Sequence, residues 1–370
     1  MKSPKPTLLS AILVMMLTVG MSNHVFLIPA LVEASQRDSW LALLLSSPAV
    51  FILVFVMMYI SRAMSNEPLA QWFHVVTGPA PAYIFRVLIS LYCLTNAYFT
   101  LYETTIWIRV NFLQNTPVIF TGVALMMICY TGARKGLRTI ANASGILLPI
   151  VFLFGFSIAF INVKYKDYSQ LFPLLEHGWA PLAMGGMYSL AGSFEILLIL
   201  FIQPNLSSRL KLKPMLALAA IVVGFTMGPL IGALTEFNPY EARLVRFPAY
   251  EEWRLAAVGK FLAQTDFLSI FQWITGAFIR ICFLLHVTAE MWNIKSEKKR
   301  STFLLLVSTL FVLINMIPLS DMSMHEFTVA WVYPGNFGFL TGALLCLAAV
   351  AYFSRKRVRN KHGNEGTGGP

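Results

Sequence analysis

The side chains of this sequence that could carry out chemistry are ionisable groups placed inside long apolar segments. Glu195 follows Gly192 and Ser193 deep inside one such segment, and Arg280 lies about halfway along another. A charged group at membrane depth is costly, so each of these needs a partner or a function. The guanidinium of Arg280 stays protonated and requires an anion, for which a ligand carboxylate, Glu195 and Glu103 are all candidates. The sequence thus predicts either a binding site with a charged wall or an internal ion pair.

A second candidate site is a polar interruption of the first apolar segment, over residues 17–29. Gly20 weakens the helix there, Pro29 removes a backbone donor, and three polar residues lie between them: Ser22, Asn23 and His24. Since hydrocarbon cannot hydrogen-bond the backbone, such a stretch must be buried in protein or line a wet cavity. Transporters build substrate sites from discontinuous helices of this kind. The alternative is a tolerated kink whose polar groups bond to neighbouring helices.

The composition indicates that membrane helices position these groups. Of the 370 residues, 57% are hydrophobic and 12% are charged, with a mean hydropathy of +0.67, whereas soluble domains carry about 25% charged residues. The four cysteines lie in apolar segments without CxxC spacing, which indicates packing residues, and no metal or cofactor is expected. The net charge of +11 falls in short clusters between apolar segments, which is typical of topology signals and not of nucleic-acid binding. The sequence has neither an HExxH helix nor a Walker loop nor a Ser/His/Asp order, which argues against an enzyme.

Ten segments are apolar enough to cross a bilayer, which takes about 20 residues each. They cover residues 8–30, 40–61, 82–103, 117–131, 142–162, 181–203, 214–235, 267–289, 301–317 and 331–353. With the N-terminus in the cytoplasm, 18 of the 28 Lys and Arg residues lie inside and 8 lie outside. This bias predicts an all-α integral membrane protein with both termini in the cytoplasm.

The chain is predicted to form a single membrane domain over residues 1–360. A polar, Gly-rich cytoplasmic tail at 361–370 is expected to be disordered. One sizeable loop is predicted between the spans, an outer loop at residues 236–266. Within this loop, an amphipathic helix is expected from about Pro248 to Leu262. That helix is predicted either to lie on the outer membrane face or to pack as a lid over the outer vestibule.

The spacing of the spans suggests two halves of five, repeat one over residues 8–162 and repeat two over residues 181–353. Each half begins with a helix that small polar residues interrupt, at 20–24 in the first half and at 185–195 in the second. Such a pair of Gly-interrupted segments at corresponding positions points to a transporter binding site.

Several motifs, in this order and spacing, resemble a known family over nearly the whole chain. They are the broken first helix ending in Pro29, Ala34–Trp40, Glu103-Thr104, Thr116-Pro117, Gly132–Gly136, Pro149, Leu171–Gly178, Glu195, Pro204, Arg246–Glu251, Asp266 and Trp273. The family is the spore germination permease family, the B subunit of nutrient germinant receptors of spore-forming Firmicutes. It belongs to the amino acid–polyamine–organocation (APC) transporter superfamily.

The resemblance implies ten transmembrane helices arranged as two inverted five-helix repeats, an APC/LeuT-like fold with helices 1 and 6 discontinuous. It implies a small-molecule germinant, usually an amino acid and sometimes a sugar or nucleoside, bound between spans one, three, six and eight. It also implies A and C partner subunits in the spore inner membrane. Binding would change the conformation of the subunit and commit the spore to germination.

Carried over by position, the resemblance assigns a set of pocket residues. The ligand-binding residues would be Gly20, Ser22, Asn23, His24, Asn96, Phe99, Ser189, Gly192, Ser193, Thr275 and Arg280, and those for gating or ion pairing would be Glu195 and Glu103. Ser22 and His24 are bulkier than the small residues usual in this family, and Arg280 stands where an uncharged residue is typical. Arg280 would therefore either meet an anionic ligand or neutralise Glu195.

Two other functions remain open from the sequence. One is an amino-acid secondary transporter coupled to protons through Glu195 or His24. The other is a mainly structural receptor subunit that holds its A and C partners. Concentrative uptake by the isolated protein would identify the transporter.

Overall fold

The computed structural model of the chain describes residues 4–64, 66–256, 265–294 and 296–365, with only the backbone described for the last ten of these. Within these ranges all regular secondary structure is helical. A helix satisfies its own backbone hydrogen bonds, which a chain of this hydropathy requires in a bilayer.

The first half of the chain forms seven α-helices in the part that the structure describes. They are α1 (Leu8–Met21), α2 (Leu27–Ser35), α3 (Ser39–Ala63), α4 (Leu69–Thr77), α5 (Pro79–Asn111), α6 (Val118–Lys135) and α7 (Leu137–Ile161). Helix α1 begins where Thr7 Oγ1 accepts a hydrogen bond from the Ser10 N–H at 3.1 Å. Gly78 and Gly136 precede α5 and α7 with φ angles of 92° and 86°, which residues with a Cβ rarely adopt.

The second half of the described chain forms a further eight α-helices. They are α8 (Trp179–Ser193), α9 (Ile199–Ile202), α10 (Leu212–Leu244), α11 (Pro248–Leu255), α12 (Phe267–Met291), α13 (Glu297–Asn315), α14 (Asp321–Phe327) and α15 (Tyr333–Glu365). Helix α15 thus continues into the tail predicted at 361–370, of which residues 366–370 lie outside the described residues.

Each of the ten predicted spans is helical, and the first and sixth spans each extend over two of these α-helices. Eight helical stretches of the described chain are long and apolar enough to cross a membrane, and the first of them, Leu8–Ala63, contains two predicted spans. The ninth predicted span corresponds to α13, whose first turn is charged at residues 297–300. Helix α5 extends well beyond its predicted end at residue 103, so that Glu103 lies inside the helix. Its side chain is buried.

The interior of the bundle is formed by the sixth predicted span and by α12. In the most apolar window of Trp179–Asn205, 83% of the residues are buried, and the corresponding share for α12 is 67%. The share for Leu137–Tyr165 is only 17%, so α7 lies at the periphery. The two buried helices are also the ones that carry Glu195 and Arg280.

The interruptions of the first and sixth spans are changes of helical hydrogen-bonding and not unwound coil. Between α1 and α2, residues Ser22–Phe26 form a π-helix, and the flanking Met21 and Leu27 keep right-handed helical angles. After α8, residues Phe194–Leu198 form a 3₁₀-helix, also between helical residues. A π-helix and a 3₁₀-helix both shift the register of backbone donors and acceptors, and π-bulges occur frequently at functional sites.

The glycines of the sixth span lie before the interruption and serve close packing. Helix α8 is regular through Gly185 and Gly192, contrary to the interruption predicted over residues 185–195. A Cβ on Gly185 would lie 3.1 Å from the Ala42 Cβ, and one on Gly192 would lie 3.0 Å from the Asn23 Cγ. These two positions therefore let α8 pack directly against α3 and the π-helix.

The helix of the outer loop packs against the bundle. Helix α10 bends at Asn238, which has a φ of 58°, and the chain then returns through α11. Tyr250 and Trp253 of α11 are buried, and both line the cavity described below. The described part of the helix thus packs as the lid hypothesis predicts, and α11 is called the lid helix below. The remainder of the predicted helix, residues 257–264, lies outside the described residues.

Candidate functional site

A cavity of about 290 Å³ lies between α1, α7, α10, α11 and α12, beside the π-helix. Glycines on two helices leave this space open. A Cβ placed on Gly20, Gly224 or Gly228 would have no neighbouring heavy atom within 4 Å, and all three residues line the cavity. A cavity of this size is in the range of small-molecule sites.

The cavity wall is mainly apolar and strongly aromatic. Phe152 of α7 and Phe225 of α10 meet edge to face with ring centroids 4.8 Å apart. On the opposite side, Trp273 of α12 lines the cavity and stacks on Trp107 at 4.0 Å. Stacked and edge-to-face ring pairs hold these side chains in defined positions. The arrangement provides a preformed surface for an apolar group.

Two of the predicted ligand-binding residues, Gly20 and His24, line this cavity. The His24 ring lies in the π-helix, and its Nδ1 is 3.3 Å from the carbonyl oxygen of Phe225. That contact fixes the ring against α10. His24 therefore places a polar group in the cavity wall, at the point where the backbone hydrogen bonding of the first helix changes from α to π.

Asn23 lies on the other side of the π-helix and ties it to two helices. Its Nδ2 donates to Ser193 Oγ at 3.3 Å and to Thr226 Oγ1 at 3.1 Å. The hydroxyl of Tyr333 donates to the carbonyl oxygen of Phe26 at 2.6 Å. The polar groups of the interruption are thus bonded to neighbouring helices, as the kink hypothesis predicts, while His24 also faces the cavity.

Arg280 and Glu195 form an ion pair at the centre of the bundle, with both side chains 1% exposed. Arg280 Nη1 donates to Glu195 Oε2, and Arg280 Nη2 donates to Glu195 Oε1 at 2.7 Å. Tyr92 Oη donates to the same Oε1 at 3.0 Å. A bidentate pair of this kind is the geometry in which guanidinium and carboxylate interact most strongly.

The remaining donors of Arg280 bind the surrounding helices. Its Nε donates to Thr100 Oγ1 at 3.0 Å and its Nη1 to the carbonyl oxygen of Thr18, also at 3.0 Å. Helix α1 ends close by, where the Ser22 N–H bonds to the carbonyl three residues back, that of Val19. Arg280 therefore connects α1, α5 and the 3₁₀-helix that follows α8. Of the three anions that the sequence left open, Glu195 is the one that Arg280 binds.

Other predicted ligand-binding residues lie around this ion pair and are packed within protein. They are Ser22, Asn23, Asn96, Phe99, Ser189, Gly192, Ser193, Thr275 and Arg280, all of which are buried and none of which is among the described residues that line the cavity. The space between spans one, three, six and eight is thus filled by the Arg280–Glu195 network. The open space lies to the side, against spans five and seven and the lid helix.

Glu103 forms a second ion pair, with a residue that the sequence analysis did not select. Arg246 Nη2 donates to both carboxylate oxygens of Glu103 at 2.8 Å, and it lies 3.4 Å from Asp321 Oδ1. Burial lowers the pKa of Arg246, but the neighbouring Glu103 and Asp321 outweigh it, so that the pKa of Arg246 is raised overall. The pair joins α5 to the segment that leads into α11.

A group of charged residues lies at the lid end of the cavity. Asn162 Nδ2 donates to Glu236 Oε2 at 2.8 Å and to the backbone carbonyl oxygen of Glu252 at 2.7 Å. Lys166 Nζ lies 3.6 Å from Glu236 Oε1. Lys166 and Glu252 both line the cavity. Burial, followed by the charge of Glu236, raises the pKa of Glu252 well above its usual range, although Lys166 opposes the shift.

Several cavity residues could not be selected from the sequence. Glu252 lies within the predicted amphipathic helix, but nothing in the sequence distinguishes it from the other charged residues there. In the sequence, Lys166 is a charged residue in a loop, and nothing there indicates that it lines a cavity. Within the described part of the chain, no group of three or more His, Cys, Asp or Glu side chains is arranged to hold a metal ion.

The known proteins that this chain resembles in sequence share one description. Residues 6–323 match a family model described as "Spore germination protein". Spore germination protein XB of Bacillus anthracis is 36% identical over 315 residues, which is 85% of this chain and 88% of that protein. Spore germination protein KB of Bacillus subtilis (strain 168) is 24% identical over 365 residues, covering 95% of this chain and 96% of that protein.

A solved structure shares the fold. The crystal structure of MhsT in complex with L-phenylalanine superimposes with a TM-score of 0.67 over 95% of this chain and 96% of that one, at 12% sequence identity. The likeness confirms the APC/LeuT-like arrangement of helices predicted from the sequence.

Proposed function

The chain belongs to the spore germination protein family, and from that membership we propose that it is the germinant-sensing membrane subunit of a nutrient receptor. It binds a small nutrient in the cavity beside the π-helix, and the bound nutrient triggers germination. The observation that carries this proposal is a preformed cavity of about 290 Å³ next to the interruption of the first helix. A ligand that contacts His24 there biases the helix register at Ser22–Phe26.

The wall of the cavity favours an amino acid over a sugar or a nucleoside. Its surface is mainly apolar, with aromatic rings on α7, α10 and α12 and few polar groups. A sugar would leave several hydroxyl groups without hydrogen-bond partners, which costs affinity. An L-phenylalanine complex with the same fold, that of MhsT, agrees with an amino acid as the bound molecule.

The proposal includes partners and a location. The subunit acts with A and C receptor subunits in the inner membrane of the spore, and both of its termini are cytoplasmic. The distribution of Lys and Arg between the loops supports this orientation.

The test is a germination screen in spores that lack every other receptor and carry this protein with its A and C partners. Nutrients are supplied singly and in pairs, and loss of refractility is recorded. We expect a response to a defined amino acid that Gly20→Leu abolishes, because a side chain there enters open cavity space. Gly192 is unsuitable for this test, because a side chain at Gly192 collides with Asn23 and disturbs the fold.

Gly145→Leu is the matched control. Gly145 also lies in a helix and also has no heavy atom within 4 Å of a Cβ, but it is exposed outside the cavity. With all variants present at equal abundance, an unchanged dose–response curve for Gly20→Leu contradicts the proposal. Silence to every nutrient contradicts it as well, and uptake in vesicles that an uncoupler abolishes would then indicate a transporter.

A further inference from the structure

Glu252 is a buried carboxylate that the protein itself does not satisfy. Its residue is 7% exposed, and its Oε1 has no hydrogen-bond partner among the described residues. A buried acceptor left without a partner is unfavourable unless a ligand or a proton satisfies it. Glu252 also lines the cavity, so a bound molecule lies against this residue.

The neighbouring polar groups hold Glu252 in place and are engaged elsewhere. The side-chain amide of Asn162 bonds to the Glu252 backbone and to Glu236 Oε2, and Lys166 Nζ faces Glu236 Oε1 at 3.6 Å. A Cβ on Gly232 of α10 would lie 2.6 Å from Glu252 Oε1, so the glycine leaves room for the carboxylate in its present position. The residues around Glu252 thus come from the segment after α7 and from α10.

The charges of this group do not balance when both carboxyls are ionised. Among the residues that the structure describes here, two carboxylates, Glu236 and Glu252, face one ammonium group, that of Lys166. Buried charges in proteins are paired or neutralised. One proton or one further cation restores neutrality, and the free carboxylate is the one in contact with the cavity.

We propose that Glu252 binds the protonated amine of the ligand, and that the aromatic wall holds an apolar body attached to that amine. The ligand class is therefore an amine with an apolar substituent, and its ammonium group replaces the missing positive charge. Trp253 and Trp273 on the same wall suit both parts, because indole rings pack on apolar groups and attract cations. This inference rests on the proposed function, since it names the chemistry that the germinant cavity recognises.

The test measures binding to the purified full-length protein in detergent by calorimetry. The probes are 2-phenylethylamine, L-phenylalanine and 3-phenylpropionate, which share a ring and differ in their amine and carboxylate. We expect the two amines to bind and 3-phenylpropionate, which lacks the amine, not to bind. Glu252→Gln should weaken binding of 2-phenylethylamine about 10- to 100-fold, the usual effect of losing a charge-assisted hydrogen bond.

Glu251→Gln is the control, because Glu251 is the neighbouring carboxylate of α11 and is paired with Arg254 at 3.0 Å. The Glu251→Gln variant should bind 2-phenylethylamine with the same affinity as the parent protein. Glu252→Asp keeps the charge and should keep the preference for amines, with weaker binding; this readout separates recognition from a structural role. The melting temperature of each variant verifies that it is folded.

Three results overturn the inference: no binding of 2-phenylethylamine, equal binding of 3-phenylpropionate, or parental affinity in Glu252→Gln. Spores that respond to a nutrient through this protein while any of these results holds would leave the proposed function standing. If the spores stay silent but the purified protein binds amines through Glu252, the proposed function is contradicted and the inference about the ligand class stands.

Discussion

Replacing Arg280 by Met should be among the most damaging single substitutions in this chain. Arg280 supplies both charged hydrogen bonds to Glu195, and after its loss the hydroxyl of Tyr92 is the one donor left to the buried carboxylate among the described residues. Removing one partner of a buried pair costs about 3–5 kcal/mol. With an unfolding entropy of about 2.1 cal/mol/K per residue over this chain, the apparent melting temperature should fall by roughly 4–6 °C.

The double variant Arg280→Met/Glu195→Met should be more stable than Arg280→Met alone. Two other side-chain partners of Arg280 keep hydrogen bonds without it: Thr100 Oγ1 donates to the carbonyl oxygen of Asn96 at 2.8 Å, and Asn96 Oδ1 accepts from Asn336 Nδ2 at 3.1 Å. Glu195 is the charged partner, and its carboxylate depends on the guanidinium charge. We expect a coupling energy between the two positions of about 1–3 kcal/mol.

The assay is thermal unfolding of the purified protein in detergent, followed by intrinsic fluorescence, on the parent, both single variants and the double variant. Arg246→Met serves for comparison, because its partner Glu103 lies away from the central pair. A parental melting temperature for Arg280→Met would refute the reasoning. So would strict additivity of the two single effects, since it would mean that Arg280 and Glu195 do not stabilise each other.

Three further predictions concern the polar contacts around the cavity. Arg246→Ala leaves Glu103 buried without a cation and should lower the apparent melting temperature, with a smaller effect for Arg246→Lys, which keeps the charge. Asn23→Ala removes the side-chain bonds between the π-helix and two neighbouring helices and should cost about 1–3 kcal/mol, measured by the same unfolding assay. The pKa of Glu252 is higher in the folded protein than its ordinary value of 4.5, so the folded state binds the proton more tightly than the unfolded chain does. That stabilisation is complete below about pH 4.5 and is lost as the pH rises through the folded-state pKa, so Glu252→Gln should lose less stability than the parent between pH 5 and pH 8.

The sequence predicted the membrane spans because the relevant signals are local, whereas the arrangement of the spans came from the resemblance to a known family. Each span is a run of apolar residues, and a backbone in hydrocarbon has no alternative to a helix. The polar residues Ser22 to His24 correctly marked the interruption of the first helix. The interruption of the sixth span was placed over Gly185–Glu195, whereas it begins at Phe194, because a glycine marks a close helix contact as readily as a break.

The location of the cavity depends on how helices are rotated against each other, which a single sequence does not specify. Gly20, Gly224 and Gly228 enclose open space only because their helices face one another. The anion of Arg280 was undecided for the same reason, since Glu195 and Glu103 both lay at membrane depth. Arg246, which forms the ion pair with Glu103, lies in a loop, and nothing in the sequence indicated this role.

The central ion pair also constrains how the protein is made. Glu195 is synthesised 85 residues before Arg280, so its helix enters the membrane while its carboxyl group has no guanidinium partner. Inserting an isolated helix with an arginine at its centre costs about 2.5–3.5 kcal/mol on translocon scales. Once the sixth span is in place, Glu195 offers that arginine its anion, so the earlier span assists the insertion of the later one.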